Sequence, residues 1–480
     1  MENNYSYYNW FKKVISIFIE IFFIAAPLAS LYVFTSFLSG GIRLAAFAAI
    51  IIVYLLVIYF GRKHIKSLIN SFLNKVSGLE TWKMVLIIIF TALILKIIST
   101  LFFGFDATKG GDVEIYNEIA DQIIATGDIH SDAISHLYGV ALHLVVFKLI
   151  GIPLHVAVFL VLLLGSIINF YSFERIIGKD KSFIAVMIYV IMPSTILLSF
   201  CPTHEVFVYL YISIFLFSYN RMLKEENTAK TFLFLIIMII STILTCFVNP
   251  GGYILYIIMV LTVLLSNVLI KKKILIVVCL ILSMIGSSAI SRYLNVNEYT
   301  TTINTYTILI HGTNPESLGE QIDGYPLKQM RMYIYDHTLD FSDEGFLDAA
   351  KHVLINQCVY LFKHPVTFLK LIVHKIYILW SGVHYPIEMA NIYGSLSGFA
   401  YLIALGLNTL IYLFTITLGT VYYNKNVRSD DIEISNYKLE LLGVIALTLI
   451  CIVVNKYSLY VTLFIYLISF YRSSFGEIDG

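Results

Sequence analysis

The sequence predicts an all-α polytopic membrane protein with a bundle of about twelve transmembrane helices, and three observations carry that prediction. Hydrophobic residues make up 59 % of the 480 positions and charged residues 13 %, both far from the composition of soluble domains. Several apolar runs approach or exceed the roughly 20 residues that cross a bilayer. Lys and Arg collect in alternate connections between those runs, the pattern of cytoplasmic loops.

The runs fall at 14–38, 42–60, 83–104, 153–175, 182–200, 204–222, 230–249, 251–270, 274–290, 397–423, 436–454 and 457–472. The first is too long, and too closely followed by others, to be a cleaved signal peptide. Lys12 and Lys13 precede it; Arg62, Lys63, Lys66 and Lys75 follow the second run; Arg175, Lys179 and Lys181 join the fourth to the fifth. Arg221, Lys224 and Lys230 join the sixth to the seventh, Lys271 to Lys273 the eighth to the ninth, and Lys425 and Arg428 follow the tenth. All lie on one side if both termini are cytoplasmic. Residues 64–82 have the pattern of a short cytoplasmic amphipathic helix.

The outer side then receives two long segments, 105–152 and 291–396. Within the second, 291–365 holds nine acids against five Lys and Arg, too polar to span. Residues 137–150 are apolar but short, and read as a helix on the outer surface; a span there would put the Lys179–Lys181 loop outside. Residues 366–380 are a second interfacial candidate, interrupted by Lys370, His374 and Lys375. This divides the chain into two extra N-terminal spans with their amphipathic segment (1–82), a core (83–290), a large outer segment (291–396) and C-terminal spans (397–480). The net charge of +1 gives no sign of nucleic acid as a partner. Five cysteines without paired spacing read as buried hydrophobes.

The outer stretch FDATKGGDVEIYNEIADQIIATGDIHSD, 105–132, holds seven acids and one lysine. Gly110-Gly111 permits a tight turn, and Asp112 stands where a helix N-cap belongs. Ile115, Ile119 and Ile123 recur every four residues beside Tyr116, Ala120 and Ile124, while Glu114, Glu118 and Asp121 take another face. That is an amphipathic surface helix, stopped by Gly127. A carboxylate at such a turn is either a plain cap or a general base for an attacking hydroxyl.

With Gly111, Asp112, Tyr116, Ala120 and Gly127 in an outer loop, followed by a surface helix ending in Gly151, the sequence resembles the GT-C glycosyltransferases. Within them it is most similar to bacterial relatives of dolichyl-phosphate-mannose protein mannosyltransferases. MPSTILLSFCPTHEVFVYLYISIFLFSYNRM (192–222) resembles the family's acid-bearing outer bend, with Glu205 in the acid's place beside His204. FVNPGG (247–252) resembles a later outer turn, with Asn249 where a basic residue is common. LIHGTNPESLGEQIDG (309–324) supplies Gly312, Asn314, Ser317, Gly319 and Asp323, and the stretch 364–382 supplies Lys375 and Trp380. Lys456-Tyr457 stands where an Arg-Tyr pair often precedes the last helix.

The resemblance implies a GT-C-like bundle with outer juxtamembrane helices and an enzyme that moves a sugar from a polyprenyl-phosphate donor to an acceptor hydroxyl. The acceptor would be a cell-surface glycan, a lipid-linked glycan or a protein, outside the cell membrane, with inversion at the sugar carbon. It makes Asp112 the catalytic base and Glu205 its assistant. Tyr116, His204, Asn314, Asp323, Lys370, His374, Lys375, Lys456 and Tyr457 become substrate-binding candidates, with Lys375 first choice for the leaving phosphate. His204-Glu205 is also a candidate divalent-cation site, although two residues do not make a metal centre. The alternatives are a transporter or flippase of lipid-linked saccharides, which would bring inverted repeats and broken mid-membrane helices, or a polysaccharide polymerase.

Overall fold

The computed structural model describes residues 25–32, 39–103, 112–130, 135–249, 252–265, 269–294, 298–320, 324–380 and 385–421, with isolated positions 17, 21, 35 and 322. Among the described residues every regular element is a helix, and seven helices are long and apolar enough to cross a membrane. Helix α1 (Gly40–Ser77) precedes α2 (Thr81–Phe103), α3 (Asp112–Thr126) and α4 (Ser135–Ile150). Then come α5 (Leu154–Ile177), α6 (Lys179–Ile191), α7 (Pro193–Leu198), α8 (His204–Lys224), α9 (Thr228–Val248), α10 (Gly252–Leu265) and α11 (Ile270–Leu294). The outer segment and its exit form α12 (Glu298–Gly312), α13 (Tyr325–Asp336), α14 (Asp343–Lys363), α15 (Pro365–Trp380), α16 (Tyr385–Tyr393) and α17 (Gly398–Val421).

The candidate spans lie in α1, α2, α5, α8, α9, α11 and α17. The run at 14–38 falls largely outside the described residues, and those at 436–454 and 457–472 wholly so. Three expectations change. The amphipathic segment at 64–82 is no separate helix, because α1 continues unbroken to Ser77. Its 38 residues reach about 57 Å at 1.5 Å per residue, nearly twice a bilayer's hydrocarbon core, so its basic end projects beyond the membrane. The run at 182–200 is not one continuous helix: Pro193, which has no N–H and cannot continue a helix, starts the separate six-residue α7. The run at 251–270 gives only the 14-residue α10.

Helix α8 is the hub, packed against α5 and α9, and α9 leans in turn on α11. The α3–α4 pair forms a hairpin whose second helix lies across α9. Gly139 makes that crossing possible. A Cβ there would stand 2.5 Å from the Phe247 carbonyl oxygen and 2.9 Å from Val248 Cα. The outer helices keep a small core of their own, in which Ile310 of α12, Met330 and Ile334 of α13, and Ala349 and Ala350 of α14 are fully buried.

Candidate functional site

Asp112 is the first helical residue of α3, one position inside the expected cap, and Gly127 ends the helix with φ +70°. The packed face runs through Val113, Tyr116, Asn117, Ala120 and Ile123. Of the expected apolar face, Tyr116, Ala120 and Ile123 are buried and Ile119 packs against the core, while its edge residues Ile115 and Ile124 are exposed. Glu114, Glu118 and Asp121 are exposed, as a solvated face requires, and Asp121 pairs with Lys148 of α4 at 2.7 Å.

Tyr116 leads to the second half of the site. Its hydroxyl stands 3.3 Å from His204 Nδ1, and His204 Nε2 lies 2.9 Å from Glu205 Oε1. Tyr116, His204 and Glu205 are all buried. Asp112 sits one helical turn before Tyr116, so both project from the same side of α3. Residues more than 80 positions apart thus converge on one buried polar row, with a partly exposed carboxylate at its rim.

His204 and Glu205 open α8, directly after the unwound segment 199–203. The N–H groups of Ser199, Phe200, Cys201 and Thr203 bond locally to carbonyls three or fewer residues back or, for Ser199, also to Thr195, and two other spans add side-chain partners. Asn408 of α17 accepts the Ser194 N–H at 3.1 Å, serving as the cap that Met192 lacks at the start of α7. At the other end Lys96 of α2 donates to the Ser199 carbonyl and hydroxyl, both at 3.0 Å, with its ammonium 3.1 Å from the centre of the Phe200 ring. A cavity of about 30 Å³ beside Lys96, lined also by Ser166, Thr195 and Ser199, has room for about one or two water molecules.

Sequence reasoning missed Lys96 and Asn408. The signal for Lys96 was present: a lone cation inside MVLIIIFTALILKIISTLFF, where an ionisable residue is expensive and marks function by default.

The basic candidates on α15 separate onto two faces. Lys375 shares the inner face with Leu371, and both are buried. Its Cε lies where a Cβ of Gly319 would come within 2.5 Å, and Gly319 has φ +88°, so only glycine fits that turn comfortably. Asn314 holds the turn: its side-chain oxygen accepts the Glu316 N–H at 2.9 Å and its carbonyl accepts the Gly319 N–H at 3.1 Å. Asn314 is thus a turn residue supporting the ground on which Lys375 packs.

Lys370 and His374 lie on the outer face, where His374 bonds to Glu320. That bond from His374 holds the Glu320 carboxyl below its ordinary value, against the opposing effect of partial burial. Asp323, Lys456 and Tyr457 lie outside the described residues.

Among the described residues no group of three or more His, Cys, Asp or Glu could hold a metal ion. Among the described residues His204 and Glu205 give two donors, where a closed site takes four.

Fold and site together define the class: a multi-pass helical membrane protein with a buried ionisable row at a helix break. No family model matches the sequence, and no curated protein matches it. Two solved structures are similar to the chain. The crystal structure of ArnT from Cupriavidus metallidurans bound to undecaprenyl phosphate is 14 % identical, covers 80 % of this chain and 76 % of its own, and has a TM-score of 0.37. The apo state of the same protein has the same identity and coverage, with a TM-score of 0.33.

Proposed function

We propose that the chain is a GT-C-type glycosyltransferase that moves a sugar from a polyprenyl-phosphate donor to an acceptor hydroxyl on the outer face of the cell membrane. The observation that carries this reading is the row Tyr116–His204–Glu205, with Asp112 at its rim. Asp112 takes the proton of the acceptor hydroxyl. The freed oxygen attacks the anomeric carbon from the side opposite the phosphate, and the carbon–oxygen bond to phosphate breaks with its electron pair on the leaving group. One displacement inverts the sugar carbon. Glu205, held against His204, supports the negative end of the row and receives the proton that Asp112 must pass on. Lys375 is the cation assigned to the departing phosphate.

The test uses membranes containing the protein, a labelled polyprenyl-phosphate sugar, and wild type against Asp112→Asn. A positioned general base contributes about 10²–10⁴-fold, so transfer to acceptor falls by that order in the variant. Equal transfer by both proteins removes Asp112 as the base. One observation favours a second reading: the break at Pro193 gives the chain the kind of discontinuous helix that transporters use. Movement of the labelled lipid across the bilayer with no glycosidic bond formed would select that reading.

A further inference from the structure

The outer face of α15 borders a cleft that the proposed reaction does not use. Its volume is about 690 Å³, and its walls are Tyr32 and Arg43 from the N-terminal helices, Leu318 from the Asn314 turn, and Leu369, Lys370, Val373, His374 and Tyr377 of α15. On α15 these positions form one stripe, since 370, 373, 374 and 377 repeat at helical spacing.

Three features of the cleft point to one ligand chemistry. The first is fixed positive charge. Arg43 donates from its guanidinium to the Tyr32 carbonyl at 3.3 Å, hydrogen-bonds the Tyr377 hydroxyl and stacks over the Tyr32 ring at 4.1 Å, while its buried Nε has no hydrogen-bond partner. Among the described residues no carboxylate pairs with Arg43 or Lys370, because the neighbouring Glu320 is taken by His374. The second is an aromatic wall. Tyr32 and Tyr377 meet edge to face at 5.4 Å, and burial pushes the Tyr377 hydroxyl up to about 12, so it remains a neutral hydrogen-bond donor. The third is an apolar exit. Leu369 and Val373, both exposed, line the cleft, and Val366, one turn before Leu369 and Lys370 on α15, is exposed too.

A planar guanidinium with a donor to spare, an ammonium and a tyrosine hydroxyl suit a phosphate, for which arginine's fork is well shaped. The apolar exit suits a hydrocarbon tail, and neither feature alone would suit a soluble anion or a neutral lipid. We propose that this cleft binds a membrane lipid through a negatively charged phosphate head group, with Arg43 and Lys370 on the phosphate and the tail along Leu369 and Val373. The bound lipid would join the N-terminal helices, which supply Tyr32 and Arg43, to α15. The proposal does not depend on the chain being a glycosyltransferase.

The test is native mass spectrometry of the full-length protein, delipidated in detergent and reloaded with one defined lipid at a time. Wild type is expected to retain phosphatidylglycerol, and phosphatidylcholine at least tenfold less well. Arg43→Gln and Lys370→Gln should each weaken retention of phosphatidylglycerol at least tenfold. Lys63→Gln, an exposed cation some 30 Å further along α1 by helical rise, should leave it unchanged. A third arm offers a polyprenyl monophosphate, and preference for it over phosphatidylglycerol would identify the carrier class as the occupant of the same phosphate site. Undiminished retention in both Arg43→Gln and Lys370→Gln overturns the proposal, as does equal retention of phosphatidylcholine. Circular dichroism of the two variants identifies any that misfold, and Arg43→Lys, which keeps the charge and loses the fork, then takes the place of Arg43→Gln with the same reading.

Discussion

Adding one methyl group at Gly139 tests whether α4 truly lies against the end of α9. The built Cβ meets the Phe247 carbonyl oxygen at 2.5 Å, Val248 Cα at 2.9 Å and the Phe247 carbonyl carbon at 3.0 Å. All three are backbone atoms, so no rotamer change relieves the contact. The two helices must separate until the shortest distance approaches the 3.4 Å of ordinary contact. Overpacking of this kind costs about 1–3 kcal/mol, while alanine in place of glycine returns up to about 1 kcal/mol of helix propensity. Taking the middle of each range, the net expectation for Gly139→Ala is a loss of about 1.5 kcal/mol. Gly286→Ala on α11 is the control, because its Cβ would meet only Ile243 Cδ1 at 3.7 Å. That variant keeps the propensity gain of about 0.5–1 kcal/mol and melts higher than wild type. The assay is thermal unfolding in detergent, followed by a thiol-reactive dye on the buried Cys201 and Cys246. Cys246 sits beside the contact, so Gly139→Ala should also label faster before the transition. A Gly139→Ala protein as stable as wild type would mean that α4 does not make this crossing. The α3–α4 hairpin, and with it the placement of Tyr116 against His204, would then need another account.

Glu205→Gln exchanges a buried carboxylate for a neutral amide; transfer should fall at least tenfold while the melting temperature holds or rises, since a buried charge costs stability. If activity and stability fall together, Glu205 is a packing element only. Asn408→Leu orphans the Ser194 N–H and should cost about 1–3 kcal/mol, whereas Lys96→Met should stay within about 1 kcal/mol of wild type, because the lost hydrogen bonds are offset by relief of a buried charge. Thermal unfolding of the two variants in the reverse order would refute that accounting. The Glu320 carboxyl is depressed by His374, so its contribution is complete above the ordinary value of 4.5 and is lost as pH falls through the lower folded value. Wild type should therefore lose a little more stability than His374→Ala between pH 5 and 3, by less than about 1 kcal/mol because the pair is partly exposed; identical acid limbs would show that the pair contributes nothing.

The helical class and most span positions were legible because a bilayer forces them: length, hydropathy and the side taken by Lys and Arg leave few alternatives. Periodicity at α3 gave the helix, its glycine stop and most of its packed face, but not the edges of that face. Isoleucines are as much at home facing lipid as facing protein, and Ile115 and Ile124 stand exposed at those edges. Tyr116, with a hydroxyl to satisfy, was the better guide. On α15 the three basic residues looked like one cluster in sequence, yet five positions on a helix put Lys370 and Lys375 on different sides. Burial then divided them into a packed cation and a cleft cation. Arg43 could not be read at all, because its partners Tyr32 and Tyr377 lie 11 and 334 residues away, and no local pattern relates them.

The break at Pro193 shows why the candidate site stands where it does. A continuous helix through 182–200 would satisfy its own backbone and would need neither Lys96 nor Asn408. Once proline stops α6, the chain restarts as α7, stops again, and crosses 199–203 on turn-type backbone bonds. Buried polar groups without partners cost about 1–3 kcal/mol each, so polar side chains from neighbouring spans help such a break. Two do so here, one at each end of α7. The return is a helix start, that of α8, whose first residues are buried in the protein. Its first two residues, His204 and Glu205, are thereby delivered at depth to Tyr116. A helix N-terminus favours negative charge through its free N–H groups, which eases the burial of Glu205 at the second position of α8. Lys96, Asn408 and Pro193 touch none of the proposed reacting atoms; they shape the break that precedes α8.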